Sequence, residues 1–329
     1  MTDGFLRRRH AAYQTPERVI SGLIRRATGQ EAAERQQIAL GYDNEVYAVR
    51  TRLGEEFIIR IRQHGENNFE QEAWAIEQCR ATDVPVPDVL FSTTVSIEGQ
   101  DREAMVQRKL PGRPLSVLMP TLAPSDMASI FAQAGEALSG IHSVSVGGFW
   151  RRHEDGKWDF PTWEQVMESH IQNRRAERPF LVQSGFTDAE IETIYGAIES
   201  YKRDFPCRRP VLCHGDFLPA HLFVSDDLVL TGVIDFGEFS GGPPISDFAD
   251  LYLNHPEVDL AWLQAGYKDK SLFDETFPSR LLMHCAGSQV GYLAHYIREG
   301  NSEAAALAAV SLRTTLQEWT LLGKRHPHG

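Results

Sequence analysis

Two acids at the ends of one apolar hairpin constrain this chain more than any other feature. Residues 212–237 read LCHGDFLPAHLFVSDDLVLTGVIDFG. Asp216 follows His214 by two residues, and Asp235 closes the strand-like run Thr231-Gly232-Val233-Ile234. His221 lies between them, five residues after Asp216. A loop with an acid, a hairpin and a second loop with an acid suit phosphoryl transfer. One carboxylate orients an attacking hydroxyl, and the other holds a metal on a nucleoside triphosphate. A lone loop Asp usually caps a turn; two at this spacing across a hairpin are harder to dismiss. A metallophosphoesterase also uses His and Asp clusters, but residues 36–108 offer none of the further upstream ligands it would need.

The rest of the chain divides around this motif. Thr15-Pro16-Glu17 reads as a helix start with Thr15 as the cap, and Val19, Ile20, Leu23 and Ile24 form one stripe behind it. The period then changes to that of strands at 37–40, 46–51, 57–62, 89–93 and 104–108, with a helix at 66–80 inserted among them. Beyond Leu110-Pro111-Gly112 the pattern is helical: near 125–142, with Ser125 as cap, then 163–178, 186–202, 258–266, 278–298 and 302–322. Residues 147–160 read as an irregular loop. The expected architecture is α+β. A small lobe (1–107) carries a five-stranded antiparallel sheet with one key helix, and a larger, mainly helical lobe (108–329) carries the two acids.

Composition narrows the partners. A net charge of −12 argues against nucleic-acid binding and is compatible with a cationic small substrate. No apolar run approaches a membrane span. The N-terminal segment lacks the apolar stretch of a secretory signal. The four cysteines form no CxxC pair, so buried or free thiols in a reducing cytoplasm are expected. Nothing in the sequence separates a monomer from a dimer.

HGDFLPAHL with IDFGEFSGGPPISDFADL resembles the aminoglycoside phosphotransferase family, which shares a two-lobed, protein-kinase-like fold with choline, homoserine and fructosamine kinases. The resemblance runs over roughly residues 35–325. It implies a transferase moving the γ-phosphoryl group of ATP or GTP to a small-molecule hydroxyl, with Mg2+. It places Asp216 at the catalytic position, Asp235 at the metal position and Asp247 at a later, mainly structural acid. GYDNEVYAV, with Gly41 and Asn44, resembles the turn that covers the nucleotide. Arg60 and Glu72 fall where a phosphate-binding cation and its helix partner are expected, and Arg62 competes with Arg60. Backbone from Gln107 to Leu110 is expected to bond the base edge. His214 reads as a brace tying its loop to backbone near Asp235, with a catalytic base as the other reading.

Three departures stand out. His221 replaces an Asn; it ligates metal, touches phosphate, or does neither. Arg60 replaces a Lys, and its forked donors can still grip phosphate. Pro243 stands where an acid is frequent. For the acceptor, Glu238, Asp250, Glu257 and Asp259 are candidate grips on a cation, and Trp150, Trp158, Phe160 and Trp163 either wall an apolar acceptor or pack the lobe. An aminoglycoside or aminocyclitol acceptor, giving antibiotic resistance, leads. A macrolide, a primary metabolite such as choline, homoserine or a sugar, and a nucleotide-binding pseudokinase remain alternatives.

Overall fold

The computed structural model describes residues 15–38, 44–63 and 68–325, with side chains to residue 322. The described residues fall into two compact units. One runs through Pro120 and takes in Ala220–Glu238; the other holds Thr121–Pro219 and everything from Phe239 on. The hairpin Leu222–Val224 and Leu230–Val233 pairs with Arg113–Pro114 in a three-stranded sheet of the first unit.

The first unit is built on five antiparallel strands: β1 (Ala32–Ile38), β2 (Asn44–Thr51), β3 (Glu56–Arg62), β4 (Val89–Ile97) and β5 (Gln100–Arg108). Their order in the sheet is β1-β2-β3-β5-β4. The β4–β5 turn is Glu98-Gly99, both at positive φ, the conformation a tight hairpin requires. The first helix, Glu17–Thr28, lays Ile20, Leu23 and Ile24 on Tyr47, Val49, Phe57, Ile59, Ile61, Ala104 and Val106. Each large apolar side chain so buried contributes about 1.5–3 kcal/mol. Thr15 does not cap this helix. Pro16 holds that position, and the Thr15 hydroxyl donates to the buried Glu45 carboxylate at 2.7 Å, pinning the helix entry to β2.

Strand alternation sorts β3 by face. Phe57, Ile59 and Ile61 enter the core under the first helix, so Ile58 and Arg60 emerge on the opposite face. The second helix, Phe69–Arg80, starts later than the sequence suggests, where the Asn68 carboxamide accepts the Gln71 N–H at 2.8 Å.

The second unit is helical around a small sheet of Trp158–Phe160, Phe149–Arg152, Ser240–Gly242 and Val211–Cys213, in that order. Segment 147–160, expected as a loop, thus contains two paired strands. The helix Pro124–His142 begins with Pro in its first turn and Ala123 before it, so Ser125 lies inside the helix rather than capping it. Thr187 and Glu190 form a capping box for Asp188–Asp204. Helix Phe277–Arg298 buries Cys285, Ala286, Leu293 and Ala294 completely or nearly so.

The helices Pro124–His142 and Leu260–Gly266 meet at two reciprocal glycines. A Cβ on Gly135 would lie 2.0 Å from the Leu263 carbonyl oxygen, and one on Gly266 would lie 1.7 Å from that of Ala132. The backbones therefore touch where a side chain has no room. Gly135→Ala is expected to cost about 1–3 kcal/mol by forcing the helices apart. Chemical denaturation checks this; an unchanged midpoint would show that the crossing yields freely.

Candidate active site

The second unit holds the loop that carries Asp216. The strand Val211–Cys213 ends in His214 and Gly215, and Gly215 takes φ +81°, a left-handed turn that suits glycine. Asp247, in the first turn of helix Ile245–Asn254, is fully buried beneath it. Its Oδ1 accepts the Gly215 N–H at 2.8 Å and its Oδ2 accepts the His214 N–H at 2.9 Å. His142 Nε2 lies 2.8 Å from the same Oδ2, and its Nδ1 lies 2.9 Å from the Tyr267 hydroxyl. Burial alone would raise the Asp247 carboxyl, but the His142 bond and nearby donors outweigh it and hold the group below the usual carboxylate range. The Asp216 N–H donates to His214 Nδ1 at 3.2 Å. That nitrogen acts as the acceptor, and the bond it makes braces its own loop.

Among the described residues, His142, Cys213 and Asp247 form a cluster of potential metal-binding atoms within 4.8 Å of one another. It reads better as a hydrogen-bonded lock. Asp247 is engaged as above, the Cys213 thiol donates to the Pro243 carbonyl at 3.4 Å, and burial pushes that thiol well up, away from the thiolate a metal needs. Asp247→Ala would leave two amide donors and an imidazole unpaired, at about 1–3 kcal/mol each. Equilibrium denaturation should show a loss of that size together with collapse of activity; wild-type stability would remove Asp247 from this bracing position.

The first unit holds the other acid. Asp235 follows the hairpin strand Leu230–Val233 and adopts φ +65°, a left-handed conformation that Asp tolerates better than most residues. Arg60 sits on the outer face of β3 with its side chain only 10% exposed. Its guanidinium bonds the Glu72 carboxylate through Nη1 and Asp235 Oδ1 through Nη2, the latter at 2.8 Å. Its Cζ stands 5.3 Å from the centre of the Phe69 ring. Glu72 is 3% exposed and also accepts a bond from the Phe236 backbone. His221 Nε2 lies 3.6 Å from Asp235 Oδ2, and the His221 carbonyl accepts the Ile234 N–H at 3.0 Å. With 42% of its side chain exposed, Asp235 stays open to a ligand. Its hard oxygens fit Mg2+; an imidazole is the less usual partner.

The remaining expected nucleotide contacts scatter along the first unit. Asn44 opens β2 opposite Arg62, and Arg62 approaches Glu103 at 3.4 Å. Gln107 is buried in β5, and its Oε1 has no hydrogen-bond partner among the described residues. Leu110 packs so closely on Gly232 that a Cβ there would lie 2.2 Å from Leu110 Cδ1. Gly41 lies outside the described residues.

A model of the phosphotransferase enzyme family matches residues 34–278. The chain belongs to this family. No curated protein sequence matches it. Solved structures supply the fold. A thermostable mutant of aminoglycoside phosphotransferase APH(4)-Ia, in a complex with ADP and hygromycin B, is 17% identical with a TM-score of 0.70 over 91% of this chain and 98% of its own. The GDP complex of aminoglycoside 2'-phosphotransferase-IIIa is 16% identical, with a TM-score of 0.61 over 92% and 99%. A Thermobifida fusca protein described as a candidate fructosamine-3-kinase is 17% identical, with a TM-score of 0.65 over 93% and 100%. No helix among the described residues is long and apolar enough to cross a membrane.

In this phosphotransferase the sequence-derived acceptor residues separate sharply. Asp259 caps helix Leu260–Gly266 through the Ala261 N–H, and Glu257 pairs with His255 at 2.8 Å, so both have structural duties. Glu238 is exposed at the end of a 3-10 turn. Trp163 packs on Phe149 and Tyr201, and Trp158 on Phe239, while Trp150 stays 51% exposed. Asp250 is partly buried one turn beyond Asp247, and its Oδ1 accepts the Tyr292 hydroxyl at 3.2 Å. Sequence reasoning missed His142, Tyr267 and Tyr292. His142 had only its place at a helix end as a signal, and the two tyrosines had none.

Burial, with the charges of Asp247 and Asp216 adding to it, pushes the Asp250 carboxyl up to about 8 from an ordinary 3.8. Between those values the folded chain keeps a proton that the unfolded chain releases, so this group's contribution to stability is lost as pH rises toward 8. Asp250→Asn should match the wild type near pH 4 and exceed it at pH 8 by about 1 kcal/mol or more, one pKa unit being 1.36 kcal/mol. Thermal melts across that range read the difference; a constant offset would mean that Asp250 titrates normally.

Proposed function

We propose that this enzyme transfers the γ-phosphoryl group of ATP or GTP to a hydroxyl of a small molecule, with an aminoglycoside or aminocyclitol as the leading acceptor and antibiotic resistance as the result. The observation that carries the reading is the buried Arg60–Glu72 pair bonded to Asp235, a cation and an acid of the kind that phosphoryl transfer places on phosphate and metal. In this reading Asp216 orients the acceptor hydroxyl and takes its proton. Its loop is held by Asp247, with His214 beneath it, so the carboxylate is presented without reorganisation. Arg60 grips phosphate, with Glu72 fixing its orientation. Backbone from Gln107 to Leu110 bonds the base, and Gly41 and Asn44 cover the nucleotide.

Asp235, with His221, would hold Mg2+. The 3.6 Å between His221 Nε2 and Asp235 Oδ2 is too long for a hydrogen bond and compatible with two ligands of one ion. When bound, the ion supplies charge neutralisation on the transferring phosphate. Glu238 and Asp250 offer carboxylates to amino groups of the acceptor. The cytoplasm, where nucleoside triphosphates are plentiful, is the fitting location.

A second reading has its own support. The similarity to a candidate fructosamine-3-kinase favours a primary metabolite as acceptor. ATP and GTP consumption against aminoglycosides, aminocyclitols, macrolides, tuberactinomycins, amino alcohols and ketosamines separates the two. Turnover is expected with aminoglycosides or aminocyclitols, whereas turnover confined to amino alcohols or ketosamines would move the assignment to metabolism. Asp216→Asn should lower kcat by about 10²–10⁴-fold, the usual worth of a general base, with little change in nucleotide KM. Undiminished turnover would overturn its role.

A further inference from the structure

The Arg60 contacts hold more than a phosphate grip. Its planar guanidinium donates from two different nitrogens to two different acids, Glu72 through Nη1 and Asp235 through Nη2. The Glu72 half is the buried anchor, at 3% exposure, and the Asp235 half faces outward, at 42%. Phe69 supports the guanidinium, and Glu72 is tied in turn to the Phe236 backbone, next to Asp235. The fork is thus fixed at one end and closed on the proposed metal ligand at the other. A Lys in this position would offer one ammonium point in place of a two-ended fork.

We propose that Arg60 is a resting latch on Asp235, which makes divalent-cation binding conditional on nucleotide. The inference rests on the nucleotide reading above. A divalent cation approaching Asp235 alone must displace a fixed positive charge from Oδ1 and then lie beside it. A nucleotide changes that balance. Its phosphates give the Nη2 donor a new anionic partner, so Asp235 is released where the cation is needed. The cation therefore enters with the nucleotide, and free cation in the cell does not occupy the site. Arg60 is a positioning residue in this step as well as a phosphate ligand.

The test measures Mn2+ binding to the full chain by electron paramagnetic resonance, without and with ADP, in the wild type, Arg60→Lys and Arg60→Gln. Lys retains a charge beside the buried Glu72, so that variant keeps the ion pair if Gln fails to fold; circular dichroism checks both. Asp235→Asn, which should abolish Mn2+ binding and leave the free-ion signal undiminished, verifies the site. Without ADP the wild type should bind Mn2+ about tenfold more weakly than Arg60→Lys, a coupling of ordinary allosteric size, and with ADP that gap should close. Equal Mn2+ affinity in the wild type and both variants without ADP would overturn the latch. Calorimetry of ADP alone keeps the two ideas apart. If ADP binds while Mn2+ affinities are equal, the latch falls and the nucleotide reading stands; if ADP binds neither with nor without Mn2+, the nucleotide reading falls.

Discussion

One buried carboxylate organises the second unit. Asp247 accepts two successive backbone N–H groups, from His214 and Gly215, and is met from behind by His142. An isolated charge at that depth would be costly. Here every donor that offsets its burial also fixes something useful. The two amides set the loop before Asp216, Gly215 supplies the left-handed turn, and His142 passes the restraint to Tyr267 and the aromatic cluster of Phe248, Phe273 and Phe277. The geometry of Asp216 thus depends on a carboxylate with no exposed surface, and through it on a helix end some seventy residues earlier.

The first unit solves a related problem with alternation. In EFIIRIR the core residues Phe57, Ile59 and Ile61 fall at every second position, so the core under the first helix fixes which face Arg60 takes. A slip of one residue in β3 would bury Arg60 under that helix and lose its bonds to Glu72 and Asp235. The core that stabilises the sheet is therefore also the register pin of the site.

These two mechanisms explain what could be read from sequence. Five period-two strands and the helix carrying Glu72 follow from local pattern, whereas the pairing of Arg60 with Glu72 is what the family resemblance implies and no local spacing shows. Asp216, Asp235 and Asp247 were legible because the chain places them in one short, motif-bearing stretch. His142, Tyr267 and Tyr292 were not, since each acts through a contact distant in sequence that leaves no spacing to detect. The caps failed for a different reason. Thr15 and Ser125 have the right chemistry for a cap, but Glu45 claimed the first, and Pro124 had already opened the helix Pro124–His142 before the second. The hairpin 222–233 was correctly placed in sequence, yet its membership in the first unit depends on pairing with Arg113–Pro114, which no local pattern reveals.

The electrostatics of the second unit bear on the acceptor. Asp250 lies close enough to feel both Asp247 and Asp216, and only the Tyr292 hydroxyl opposes their effect among the causes of its raised carboxyl. With its carboxyl pushed up to about 8, Asp250 is neutral near pH 7 and lies in the field of Asp247 and Asp216. An uncharged acceptor surface would leave that carboxyl protonated. An ammonium group would favour the ionised carboxylate, so that Asp250 releases its proton to solvent and accepts a charge-assisted bond. The aromatic residues that could have argued for a bulky apolar acceptor are mostly committed to packing, Trp163 and Trp158 above all. The acceptor proposed above, a hydroxylated molecule carrying at least one amine, fits both the charge and the packing.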